Sequence, residues 1–245
     1  MSNSSSIAPR YGTRARLGML LPSGNVVAES QLAAMLPNGV SLHTTRLKLT
    51  GSSDEELLAM AENVEDGASL LADACPDLIL FHCTAVSTWD ADMDRTLPER
   101  IQKATGLPAT ATSRALITAF RALDVRRVVM VSPYIEATNV RETAFLESHQ
   151  VNVLSAVGLG IAAAKDMIKP EPGDWYRMVR ANARADADAY FISCTAVRSL
   201  EVVEDLERDL GRPVFTSNQV AAWHSLRTMG IKDTPAGFGR LFSLQ

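Results

Sequence analysis

Cysteine is scarce in this 245-residue chain, with only Cys75, Cys83 and Cys194. An odd count without a secretory signal argues against a disulfide framework. No Cys-x-x-Cys pair occurs and the four histidines are scattered, so no zinc pattern is present and no metal is expected. No apolar run reaches the ~18 residues that a membrane span needs. Lys/Arg runs are also missing and the formal net charge is −4, which favours neither nucleic acid nor an anionic membrane as partner. Neither a Gly-x-Gly-x-x-Gly nor a Walker pattern occurs, so no nucleotide cofactor is expected. The first sixteen residues are Ser-rich with three arginines and no acid, but lack an apolar core segment. They read as a frayed tail rather than a targeting signal, and the expected location is the cytoplasm.

What is present is a repeat. "DLILFHCTAVSTW" (77–89) is answered by "DAYFISCTAVRSL" (188–200), which sets Cys83 on Cys194 at an offset of 111. At the same offset "LGMLLPSGN" (17–25) falls on "VVMVSPYIE" (128–136), and Pro22 on Pro133. "GLPATAT" (106–112) answers "GRPVFTS" (211–217) at an offset of 105. "ARLGMLLP" and "RRVVMVSP" are continuous apolar runs of strand length, as in a parallel sheet buried on both faces. "DEELLAMAENVEDGASLLADA" has helical spacing, with Ser53 as a candidate N-cap. "TLPERIQKATG" and "EDLERDLG" both stop at a glycine, with a proline two residues on.

Strands alternating with helices predict an α/β fold of two doubly wound parallel-sheet domains related by a pseudo-twofold axis. The expected division is a tail over 1–15, a first domain over 16–113 plus 220–245, and a second over 114–219. The segment "QVAAWHSLRTMG" is expected to pack back on the first domain. Ligands of open α/β sheets bind beyond the carboxyl ends of the strands, where Cys83 and Cys194 both fall. The axis would turn these ends towards one cleft and set the two thiols on opposite sides of a small ligand.

A position between strand end and helix start is expected to lower a thiol's pKa. Backbone N–H groups opening the next helix, around Thr84 and Ala85 and around Thr195 and Ala196, would hold a carboxylate there, with the threonine hydroxyls as further donors. Two such cradles allow three chemistries: racemisation, thiolate addition to an activated C=C with rotation, or protonation of a carbanion after decarboxylation. A non-catalytic carboxylate binder is the reading from another class, and retained nucleophiles argue against it. Ser23, Gly24 and Asn25 end the first strand and enter the cleft. Their partner loop brings Tyr134 and Asn139. Asn25 and Asn139 equally suit helix caps. His82 should point away from the thiol beside it, because side chains alternate along a strand. Trp89 and Trp223 are expected to pack.

"LLPSGNVVAE", "FHCTAVSTW", "VSPYIEATN", "SCTAVRSL" and "TSNQVAAWHS" together resemble the Asp/Glu racemase superfamily, in its maleate cis–trans isomerase and arylmalonate decarboxylase branch. The likeness runs over about residues 15–232. Amino-acid racemases differ in the tetrapeptides, and arylmalonate decarboxylases carry one catalytic cysteine, in the second half. Maleate isomerases keep both thiols, an Asn at the position of Asn25, a Tyr at that of Tyr134, and the "SNQ" segment. The resemblance therefore implies a cofactor-independent isomerase of maleate-to-fumarate type, with Cys83 as nucleophile and Cys194 as proton donor or acceptor. It implies that Asn25 and Tyr134 hold carboxylates; with the strand-end reading, the expected shell around a small carboxylic acid also includes Ser23, Thr84, Ala85, Asn139, Thr195 and Ala196. It also implies a homo-oligomer, dimer or tetramer. One position departs: Ala164 stands where maleate isomerases have an Asn, which points to a substrate with a less polar second end.

Overall fold

The computed structural model describes residues 11–244, so most of the expected N-terminal tail lies outside the described residues. The first half runs β1 (Ala15–Pro22), α1 (Ala28–Met35), β2 (Val40–Leu47), α2 (Asp54–Glu62), α3 (Val64–Ala72), β3 (Leu78–Phe81), α4 (Thr84–Ser87), α5 (Met93–Thr105) and β4 (Ala109–Ala111). α6 (Thr112–Ala122) leads into the second half, which runs β5 (Arg127–Ser132), α7 (Glu136–Ser148), β6 (Asn152–Gly158), α8 (Pro172–Ala181), β7 (Ala189–Ile192), α9 (Val203–Leu210) and β8 (Val214–Thr216). α10 (Ser217–Thr228) follows.

Each half makes a four-stranded parallel sheet, in the orders β2-β1-β3-β4 and β6-β5-β7-β8. The register repeats with the sequence. Leu17 lies between Leu42 and Leu78, and 111 residues later Val128 lies between Val153 and Ala189. A bulge after Val128 then slips the β5–β6 pairing by one residue. Every residue of β3 and β7 is buried, because helices cover both faces and no alternation with solvent is possible.

One apolar cluster runs through both halves. It joins Met19 and Leu80 of the first sheet to Met130, Phe191 and Phe215 of the second. α6 supplies Phe120, whose ring meets Phe191 and Phe215 edge-on at centroid distances of 6.0 and 5.0 Å. α10 lies along α6 and α1. A second cluster under α2, α3 and α5 fills the outer face of the first sheet.

Local signals resolve as physics requires. Ser53 accepts the Glu56 N–H at 3.3 Å and opens α2. The stretch read as one helix is two, broken at Asn63, whose side-chain amide turns back onto the Ala59 carbonyl at 2.7 Å. An Asn that bonds its own backbone competes with helix continuation. α5 and α9 both stop at glycines with positive φ, Gly106 at 72° and Gly211 at 65°. Only a residue without Cβ takes that conformation cheaply.

Candidate active site

β3 and β7 end in the same way: one polar residue, then a thiol. Cys83 follows His82 and is the residue before α4, and Cys194 follows Ser193. Both thiols are 4% exposed. Both line a single cavity of about 40 Å³, shared with Pro22, Asn25, Ala85, Tyr134, Thr195 and Ala196. Its remaining wall is mostly apolar: Leu49, Leu57, Ala164 and Met167, with Gly51 and Ser52. Among the described residues, no Lys, Arg or His side chain lines it.

Two loops, one from each half, close the space. Ala164 N–H donates to the Thr50 carbonyl at 3.0 Å, and the Ser52 hydroxyl donates to the Ala162 carbonyl at 2.8 Å. Beside them Arg141, from α7, pairs with Asp54 at 2.8 Å and lies 4.2 Å from the Trp89 ring centroid. The volume is far below the ~300 Å³ at which ligand pockets usually begin. The described conformation is therefore closed.

Enclosure decides the thiol chemistry. Burial pushes Cys83 up to about 12, although backbone N–H groups of Val86 and Ala85 favour its thiolate. Burial likewise pushes Cys194 up to about 11, against the Ala196 N–H at 3.3 Å and the Tyr134 hydroxyl. The expectation that a helix-start position lowers these pKa values is corrected. The N–H groups act in the expected direction, but loss of water outweighs them. Tyr134 itself is raised, first by burial and then by Cys194, Glu142 and Cys83.

The backbones differ. Cys83 is extended, at φ −149° and ψ 111°. Cys194 sits at φ 93°, a sparsely populated region for a residue with a Cβ, which costs ~1–3 kcal/mol. The α10 N-terminus spans both turns. Ser217 Oγ accepts the Cys194 N–H at 3.1 Å and the Thr84 hydroxyl at 2.8 Å. Asn218 donates to the Thr195 carbonyl at 3.1 Å and to Gln31 Oε1 at 2.7 Å, and its Oδ1 lies 2.8 Å from His82 Nε2. His82 is wholly buried, and burial lowers it to about 4. The imidazole is neutral, so Nε2–H donates to Asn218 Oδ1, while Nδ1 lies 2.9 Å from the Thr112 hydroxyl.

Of the residues expected at the site, Cys83, Cys194, Asn25, Ala85, Tyr134, Thr195 and Ala196 share the cavity. Ser23, Thr84 and Asn139 stand behind its wall. Ser23 Oγ pairs with Leu49, Thr84 with Ser217, and Asn139 Oδ1 accepts the Ser132 hydroxyl at 2.6 Å. The Asn25 amide is already engaged. Its Oδ1 caps Val27 and Ala28 N–H, and its Nδ2 donates to Thr195 Oγ1 at 3.0 Å, joining the two halves. His82 points away from the cavity as alternation requires. Trp223 packs with its N–H on the Leu244 carbonyl. Sequence reading missed the apolar wall and the role of Ser217. Ser217 had a signal, the Thr-Ser-Asn-Gln run at a strand end. Leu49 and Met167 had none beyond their places between elements, and Leu57 had only its position on the apolar stripe of α2.

The arylmalonate decarboxylase family model matches residues 17–242. The chain belongs to that family. A maleate isomerase from Nocardia farcinica is 31% identical over 241 residues, which is 92% of this chain and 94% of that protein. The arylmalonate decarboxylase of Bordetella bronchiseptica is 30% identical over 231 residues, with 92% and 95% covered. Among solved structures, Nocardia farcinica maleate cis–trans isomerase, as a cysteine-to-serine mutant with a covalently bound succinylcysteine intermediate, matches with TM-score 0.89 and 26% identity, over 93% of this chain and 98% of that one. The relatives that it matches are thus named for two reactions, isomerisation and decarboxylation.

Proposed function

We propose that this protein is a cofactor-independent cis–trans isomerase of a small unsaturated carboxylic acid, of the maleate-to-fumarate type. The observation that carries the reading is two thiols on one closed cavity, each at a strand end with backbone N–H groups beside it. Similarity to a maleate isomerase holding a succinylcysteine supports it. The Cys83 thiolate adds to the double bond, and the Cys194 thiol gives its proton to the adjoining carbon as the carbanion forms. The former double bond is now single and rotates. The Cys194 thiolate takes a proton back from that carbon, the C–S bond breaks, and the Cys83 thiolate and the trans acid are regenerated. Covalent catalysis replaces one high barrier with two lower ones.

Tyr134, Asn25 and the N–H groups of Ala85 and Ala196 surround the carboxylate that conjugates with the double bond. Thr84, Thr195, Ser23 and Asn139 support that shell. The second end of the substrate faces Leu49, Leu57, Ala164 and Met167, which suits an arm less polar than a second carboxylate. Rotation needs more room than about 40 Å³, so the loops at 49–52 and 162–167 part during turnover. The same apolar wall favours one alternative, decarboxylation of a substituted malonate, with Cys194 alone as the proton donor. We place the domain boundaries at 113/114 and 219/220, the protein in the cytoplasm, and the working unit as a dimer or tetramer.

A proton-NMR screen of maleate, (Z)-alkenoates, arylmalonates and aspartate tests the reading. Conversion of a cis acid to its trans isomer without added metal or cofactor supports it. Loss of CO2 from arylmalonates with no isomerisation overturns it in favour of the decarboxylase.

A further inference from the structure

The reaction above leaves a wholly buried acid unused. Glu142 lies on the inner stripe of α7 with Thr138, Phe145 and Leu146, and none of its surface is exposed. The Ser193 hydroxyl stands 2.8 Å from each of its two carboxyl oxygens. A protonated acid satisfies this arrangement fully. Its O–H donates to Ser193 Oγ, whose own O–H donates to the other oxygen. Among the described residues, a carboxylate receives only the single Ser193 proton, and no cation pairs with it. Arg141, its neighbour in sequence, is turned to Asp54 and Trp89. The titratable groups that act on one another around it are Cys194 from the turn after β7, Cys83 from the turn after β3, and Tyr134 from the loop before α7. Burial pushes Glu142 itself up to about 8.

Ser193 is the residue immediately before Cys194, whose backbone is held at φ 93°. The Ser193 N–H is also fixed, on the Val131 carbonyl at 2.8 Å. In the first half the equivalent position, 111 residues earlier, is His82, which anchors the Cys83 turn as a neutral ring. The two halves thus use different buried groups for one task. Only the second half uses a group whose charge changes sign of effect close to neutral pH.

We propose that Glu142 is a positioning residue for the thiol pair: as a neutral acid it holds the strained Cys194 turn through Ser193, and as an anion it opposes formation of a thiolate at either cysteine. The inference rests on the reading of both thiols as the reacting groups. It predicts that alkalinity, which alone would favour thiolate, is countered once Glu142 ionises.

The test is Glu142→Gln, which keeps the shape and both hydrogen bonds to Ser193 but cannot ionise. Iodoacetamide labelling of Cys83 and Cys194 in the intact protein is followed by peptide mass mapping from pH 6.5 to 10. A thiol well below its pKa labels ~10-fold faster per pH unit. In the wild type this slope should dip clearly below 10-fold per unit across about pH 8, and in the variant it should stay near 10-fold. Superimposable profiles would overturn the proposal. Should the variant fail to fold, infrared difference spectra of the wild type with labelled glutamate decide. A protonated-carboxyl band that disappears across pH 8 supports the proposal, and a carboxylate already formed at pH 7 overturns it. Neither measurement uses a substrate, so failure of this inference and failure of the isomerase reading are told apart.

Discussion

Ser217 Oγ takes the backbone N–H of Cys194 at 3.1 Å, while the Thr84 hydroxyl beside Cys83 donates to the same oxygen. One side chain from α10 therefore couples the two thiol-bearing turns. Ser217→Ala leaves the Cys194 N–H buried without a partner, which costs ~1–3 kcal/mol. We expect a lower unfolding midpoint and a fall in kcat of at least ~10-fold. A variant with wild-type kcat would show that the turns hold their geometry without this bridge.

The two thiols are expected to differ in role. Cys83→Ser should abolish turnover and any covalent mass adduct with substrate. Cys194→Ser should lose most turnover yet still trap the adduct, because addition needs the nucleophile while completing the cycle needs the proton. Each loss can reach several orders of magnitude, and the double variant should be little worse than either single one. An active Cys83→Ser protein that depends on Cys194 alone would identify a one-thiol decarboxylase.

Stability should peak near pH 6.5. His82 and His224 are both lowered to about 4 by burial, so each contributes stability above its unfolded value of 6.5 that is lost as pH falls towards 4. Glu142 is raised to about 8, so its contribution is present below 4.5 and lost as pH rises to 8. Glu207, also raised by burial, acts in the same direction. Each group tilts the curve by ~1.4 kcal/mol per pH unit within its window. Between 6.5 and 8 the acids alone remain, and urea midpoints should decline. A steady rise to pH 8 would contradict these assignments.

The apolar wall predicts selectivity. Ala164→Asn introduces an amide where the substrate's second end would lie, and should raise kcat/KM for maleate relative to a (Z)-alkenoate with an alkyl arm. A favourable shift of ~10–150-fold corresponds to one hydrogen bond to a carboxylate, ~1.5–3 kcal/mol. An unchanged ratio would mean that the second end points elsewhere.

Activity should survive EDTA and dialysis and fail after thiol alkylation. Loss on chelation that zinc restores would refute a thiol-only mechanism.

The repeat, the parallel sheets and the two thiols were legible because they are local. Strands buried on both faces need continuous apolar runs such as those ending at Phe81 and Ile192. The stops at Gly106 and Gly211 are set by the backbone alone. The sharing of one cavity by Cys83, Tyr134 and Cys194 followed from the offset of 111. The direction of the thiol shifts was not legible, because burial comes from segments such as 49–57 and 164–167, far away in the chain. Glu142 left a trace in sequence, an acid on the same helix stripe as Phe145 and Leu146. Only the position of Ser193 gives that acid a purpose.

The closed cavity also governs how long the protein survives in an oxidising solution. Cys75, at the turn after α3, is exposed, while Cys83 and Cys194 are shut away as neutral thiols. Peroxide reacts with thiolates, so at rest the two inner sulfurs resist it. Each loop opening that the proposed reaction requires would admit an oxidant as well. Wear is thus tied to use: the rate of irreversible inactivation by peroxide counts loop openings, and a tight-binding inhibitor that holds the loops shut should act as a preservative.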